Sequence, residues 1–247
     1  MPNHVLLSSV DHKDLKVIKD RGAAYGDNQW FALTFPKEFR TVQGYYPIFF
    51  HKDQNTGQFF PVALFGFQHQ ENLFLQHNNW QDLYIPLSVR RQPFLIGQQK
   101  VTEDGVDQIH RVLHIDLEHP RVSQTEGEAL FLPYGGNSAY LDEMASLMET
   151  LHLGMDDARR FVDQLLALQL LEPFTMEVKL DDGQPRQLVG FYTIHEEKLA
   201  ALSAEHLAAL QQQGYLQAIY MALASQTQVM KLLKLKNLQQ KNNGQAA

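Results

Sequence analysis

Through residues 1–135 the apolar positions come in short bursts, "YYPIFF", "FFPVALFGF" and "LFLQ", separated by polar "HKDQNTGQ" and "QHQEN". Runs this short, rich in aromatics and bounded by Asn, Asp and Gly, predict strands joined by tight turns. Pro47 and Pro61 stand at or near the starts of their runs, where a strand tolerates a missing N–H. From Asn137 the period changes. Tyr140, Leu141, Met144, Leu147, Met148 and Leu151 fall at helical spacing, with Asn137 or Ser138 as N-cap and Gly154 as the stop. The pattern predicts a second helix behind it, capped by Asp156 or Asp157, striped by Phe161, Val162, Leu165 and Leu168, and ended by Pro173.

The alternation of Phe174, Met176, Val178 and Leu180, the turn "DDG" and the run Leu188 to Ile194 predict a β-hairpin at 174–194. Two further helices follow. One begins after Ser203 and ends at Gly214; the other carries Leu216, Ile219, Tyr220, Leu223, Thr227 and Met230 on one face. The expected fold class is α+β, with a β-rich N-terminal half (1–135) and a C-terminal half of helices (136–238) enclosing the hairpin. The tail 239–247 has nothing to bury and is expected to be disordered. Gly135–Gly136 is the candidate domain boundary, and one integrated domain fits the same pattern.

Composition narrows the class. Of 247 residues 44% are hydrophobic and 20% charged, enough apolar surface for a sizeable core. The net charge of −7, with no basic stripe, argues against a nucleic-acid partner. The absence of cysteine removes disulfides, thiolate nucleophiles and Cys-type metal sites. The start "MPNHVLLSSVDHKDLKVIKD" lacks the shape of a signal peptide, and no run approaches the roughly 20 apolar residues of a membrane span, so a cytoplasmic location is expected.

The candidate chemistry lies in "YIPLSVRRQPFLI", where Arg90 and Arg91 stand among aliphatics, with Trp80 and Tyr84 upstream. Pro86 and Pro93 predict a helix of about two turns with Leu87 beneath both arginines; a strand would send the two to opposite faces. Either geometry brings a guanidinium, which keeps its proton, close to apolar surface, where it needs an acceptor. A carboxylate from "HIDLEHP" or "EGEALF" would make an internal ion pair, with Asp116 as a partner for Arg90 or Arg91. Recognition of a ligand carboxylate or phosphate is the functional alternative, using Arg90, Arg91, Trp80, Tyr84 and Asp116.

Other constellations are thinner. On a strand, His114 and Asp116 share a face with the spacing of two ligands of a 2-His-1-carboxylate iron site, His152, His195 or His206 being the available third ligand. With 11 histidines in the chain, one such spacing is expected by chance. His110 and His114 have a zinc-helix spacing without the intervening Glu. "PYGGNSAYL" precedes a helix but lacks a phosphate-loop fingerprint. "VMKLLKLKNLQ" is apolar and basic at once, which suits packing on the core with snorkelling lysines, a membrane surface, or self-association.

Several blocks resemble the SapC-like family of bacterial proteins: "YYPIFF", "FPVALFGFQHQENLF", "WQDLYIPLSVRRQPF", "IDLEHPRVSQTEGEALF", "FVDQLLALQLLEPF", "LVGFYTIHEEKLAAL" and "IYMALAS", from about Tyr45 to about Ser225. The family was first associated with surface-layer gene clusters. The resemblance implies an accessory protein, encoded near halogenase-like proteins and TonB-dependent receptors, and brings no catalytic residues with it. The expected function is therefore a non-enzymatic binding protein for an acidic small molecule or a protein partner, without cofactor or bound metal. A metal-dependent oxygenase using His114 and Asp116, and a scaffold forming homo-oligomers through the C-terminal helix, are the alternatives.

Overall fold

The computed structural model describes residues 2–76, 79–81, 84–103, 106–179 and 185–245. Two compact units emerge, each built from two stretches: Met1–Asp27 with Leu87–Leu153, and Asn28–Pro86 with Gly154–Ala247. Gly135 and Gly136, where the hydrophobic pattern changes, lie inside the first. Strands dominate the N-terminal half and helices the C-terminal half, an α+β fold.

The first unit is built on a long antiparallel hairpin, Phe94–Glu103 with Val106–Asp116, widened by the edge strand His4–Leu6. Alternation along the second strand turns Leu113 and Ile115 toward a core shared with Leu15, Val17, Phe94 and Leu130. A smaller sheet holds Lys16–Val17 between Val122–Ser123 and Glu128–Ala129. The helix Ala139–Ala167 completes this core with Leu141, Met144, Leu147 and Met148, one stripe at i, i+3, i+4 spacing. Burial as full as that of Phe94 or Ile115 contributes about 1.5–3 kcal/mol for each side chain. Ser138 caps the helix, its Oγ accepting from the Leu141 N–H at 3.1 Å.

That helix differs from the expectation. It runs unbroken through Gly154, the supposed stop, and absorbs the second predicted helix. A Cβ at Gly154 would lie 2.5 Å from the Phe35 ring, so close approach, and not termination, requires glycine there. The chain turns at Gln169, which takes a positive φ of 54°, and Pro173 sits within the following strand, Leu171–Lys179.

The second unit contains a five-stranded antiparallel sheet in the order Leu171–Lys179, Pro185–Ile194, Ile48–Lys52, Phe59–Leu64, Phe31–Leu33. The predicted hairpin forms its edge, with a register shift between Phe174 and Met176; its "DDG" turn lies outside the described residues. Phe49, Phe50, Phe65, Phe161 and Phe191 are buried. The helix Tyr215–Ser225 buries Ala218, Ile219, Ala222 and Ser225, whereas Tyr220 and Met230, expected inside, are exposed. Small residues allow close approach: Ser225 Oγ accepts from the Ile48 N–H at 2.8 Å and donates to the Ala222 carbonyl at 2.6 Å.

After a 3₁₀ turn, the helix Val229–Gln245 buries Leu232 and Lys236. Lys236 Nζ donates to the buried Glu71 carboxylate, and Lys231 Nζ stands 5.1 Å above the Phe74 ring. Two of the lysines of this apolar and basic segment thus serve the packing of their own unit, one of the uses its sequence suits. The backbone is helical as far as Gln245; Ala246 and Ala247 lie outside the described residues. Among the described residues no helix is long and apolar enough to cross a membrane.

Candidate functional site: a basic hollow in the first unit

The site starts from two polar residues far apart in sequence. Asp27 follows the turn "RGAAYG", in which Gly26 takes a positive φ of 82°. Arg121 precedes the short strand Val122–Ser123. Both are buried, Arg121 at 1% and Asp27 at 0% side-chain exposure, and Arg121 Nη2 donates to Asp27 Oδ2 at 2.8 Å. Arg121 Nη1 donates to the carbonyls of Ile18 and Asp20, and the guanidinium lies 5.0 Å from the Tyr25 ring centre. Arg21 Nη1 reaches Asp27 Oδ1 at 3.3 Å, while the Gly22 N–H donates to Oδ2 at 2.9 Å. One carboxylate therefore serves two guanidinium groups.

Beside this pair lies a hollow of about 270 Å³, lined by Arg21, Arg90, Gln92, Arg121, Tyr140 and Glu143, with Lys19 at its wall. Arg90 arrives on a single helical turn, Leu87–Arg90, anchored by the fully buried Val89. The helical reading of this segment holds, but the turn is shorter than predicted: the chain leaves at Arg91 and Gln92–Pro93 is cis. Arg90 Nη2 donates to Glu143 Oε1 at 2.7 Å, an exposed pair at 36% and 58%. Lys19 pairs with Glu128 at 3.2 Å.

Among the described residues, four cations around the hollow thus share three carboxylates. Positive charge is crowded: burial, and then the charge of Arg121, pushes Arg21 below its ordinary value. Tyr140 is pushed up to about 12, chiefly by burial. Two buried polar atoms of lining residues, the donor Arg121 Nε and the acceptor Gln92 Oε1, have no hydrogen-bond partner among the described residues. Such atoms cost free energy while unpaired, and an anion can pair only the Arg121 donor, not the Gln92 acceptor. The arrangement can hold an anion.

The residues singled out from the sequence separate. Arg90 lines the hollow; Arg91 does not. Arg91 is held by its own turn, Nη1 donating to the Phe94 carbonyl at 2.7 Å, and burial pushes it below its ordinary value. Asp116 pairs with neither arginine. Its Oδ1 accepts the backbone N–H groups of Asn3 at 2.7 Å and Glu118 at 3.2 Å, and its Oδ2 lies 4.0 Å from His4. The acid on Arg90 comes from the long helix, not from "HIDLEHP" or "EGEALF", because the turn aims the side chain at Glu143. Trp80 and Tyr84 belong to the second unit. There Trp80 Nε1 donates to the Tyr46 hydroxyl at 2.8 Å, Tyr46 to the Tyr84 carbonyl, and Tyr84 Oη to Glu38 Oε1 at 2.8 Å.

Arg21, Arg121, Tyr140 and Glu143 were not legible as a group. The "PRVS" block flagged the neighbourhood of Arg121, but its partner Asp27 is 94 positions away. The metal reading finds no support in the geometry. His114 pairs with Leu95 and its imidazole packs over Gly97 of the same strand, where a Cβ would collide with it, and Asp116 is spent on backbone donors. Among the described residues no three His, Asp or Glu side chains gather to hold a metal.

The blocks that build this hollow, from "DLKVIKDRGAAYGD" to "PRVS" and the long helix, fall within residues 7–232, which the family model described as SapC matches. The chain belongs to the SapC family. The match takes in nearly the whole chain, so both units are part of the SapC pattern. No curated protein and no solved structure matches the chain.

Proposed function

We propose that this SapC-family protein is a binding protein that holds a small acidic molecule, a carboxylate or phosphate compound, in the basic hollow of its first unit. The observation that carries the reading is the surplus of fixed positive charge around the hollow, with the Nε of a buried arginine left without a partner among the described residues. Arginine keeps its charge, and its fork suits bidentate contact with an oxyanion. The volume, about 270 Å³, is just under the ~300–1,000 Å³ of drug-sized sites, which favours a compact ligand over a peptide. A carrier of small acids also suits the accessory role that the family resemblance implies.

The test is calorimetric titration of the full chain with phosphate and with succinate at fixed ionic strength. Arg90→Ala is expected to weaken binding about 10-fold or more, the loss of a charge-assisted contact of about 1.5–3 kcal/mol. It should lower the melting temperature little, because an exposed pair contributes about 0.2–1 kcal/mol. Unchanged binding in Arg90→Ala, or no saturable binding of either anion to the wild-type chain, would overturn the proposal.

A further inference from the structure

Of the three carboxylates that share the four cations, Asp27 and Glu128 do not line the hollow, whereas Glu143 does. Asp27 is fixed: fully buried, it accepts from Gly22, Arg21 and Arg121 together. Glu143 is different. It stands on the face of the long helix that carries Tyr140, three residues earlier, and its carboxylate is more than half exposed while bonded to Arg90 at 2.7 Å. Its oxygen therefore occupies the place on the Arg90 guanidinium that an incoming acid would take.

We infer that Glu143 is a built-in competitor for the ligand position, and that the site consequently selects compact dianions, such as a phosphate monoester or a dicarboxylate, over monoanions. The inference rests on the acid-binding reading above and specifies which acids the site accepts. An exposed pair of this kind prefers its closed form only by a factor of roughly 1.5–5, so exchange is easy, and Glu143 has open solvent to swing into. The Arg90 side is prepared for exchange, since its backbone is anchored by Val89 and does not depend on the ion pair. A monoanion that replaces Glu143 leaves the charge on Arg90 balanced as before. A dianion brings one further negative charge to the surplus contributed by Arg21 and Arg121, so it gains where the monoanion breaks even. Glu143, displaced but tethered nearby, repels whatever has entered, and removing its charge relieves a dianion more than a monoanion.

The experiment compares phosphate at pH 7.5, succinate and acetate as probes of the full-length wild-type chain, Glu143→Gln, Arg90→Ala and the double variant, at constant ionic strength. At roughly 5 Å in a water-like dielectric, loss of the Glu143 charge strengthens a monoanion about 2-fold and a dianion about 5-fold after screening. Glu143→Gln should therefore tighten phosphate and succinate by about 5-fold and acetate by about 2-fold, and the gain should vanish in the Arg90→Ala background. Glu143→Ala serves as the second variant, and the melting temperatures confirm folding. If Arg90-dependent binding is present but Glu143→Gln leaves it unchanged or weaker, the competitor role is overturned and acid binding stands. If no chain binds any of the three anions, both readings fall together.

Discussion

Substituting Asp27 with Asn tests whether the hollow has a fixed electrostatic floor. The change keeps side-chain shape and removes one charge from a site with no solvent exposure. Oδ1 accepts from Arg21 and Oδ2 from both Arg121 and Gly22, so either orientation of the amide turns an NH₂ donor toward a donor. Arg121, at 1% exposure, cannot move into water without dismantling its contacts to Ile18 and Asp20. Breaking a buried pair by removing one partner costs about 3–5 kcal/mol, a large share of the 5–15 kcal/mol that stabilises a typical domain. At about 2–4 °C per kcal/mol for a chain of this size, the melting temperature should fall by roughly 6–20 °C. Both tryptophans, Trp30 and Trp80, belong to the second unit, so their fluorescence is the wrong probe. Hydrogen exchange in the hairpin Phe94–Glu103 and Val106–Asp116, alongside urea unfolding followed by circular dichroism, reports on the unit concerned. A loss below about 1 kcal/mol, with hairpin protection unchanged, would refute the floor and leave the surplus charge without a structural reason.

Two further outcomes are expected. His119 is held below its ordinary value near 6.5, first by burial and then by the charge of Arg121, and its Nδ1 accepts the Arg121 N–H at 3.2 Å. The unfolded chain takes up the proton first, so this stabilisation is complete above about pH 6.5 and is lost as pH falls from there to the depressed folded value. His119→Asn should flatten the pH dependence of urea midpoints in that window, and an unchanged slope would show that His119 is not its source. In the second unit, Lys236→Ala strands the buried Glu71 carboxylate, which also accepts the Phe67 N–H at 2.8 Å. A loss of about 3–5 kcal/mol in chemical unfolding is expected, against near neutrality for the exposed Lys234→Ala.

What local pattern encodes was legible. The hairpin at 174–194 and the stripe Leu141, Met144, Leu147, Met148 both depend on neighbours within a few positions, where periodicity and turn chemistry act directly. The errors occurred where a distant residue set the meaning of a local signal. Gly154 reads as a helix stop until Phe35 is seen against it, and Tyr220 reads as core until the Ala218, Ala222 and Ser225 face is found to admit the closer approach. The arginine pair shows the same division. Sequence alone established that at least one of two permanent charges would sit beside apolar surface and need an acceptor. Only the tertiary structure decided that Arg91 is satisfied by its own turn, that Arg90 meets Glu143, and that Arg121 and Asp27 close a floor beside them. Charge and propensity belong to a residue and its near neighbours. A hollow exists only where segments remote in sequence stop short of touching, and no local pattern records that distance.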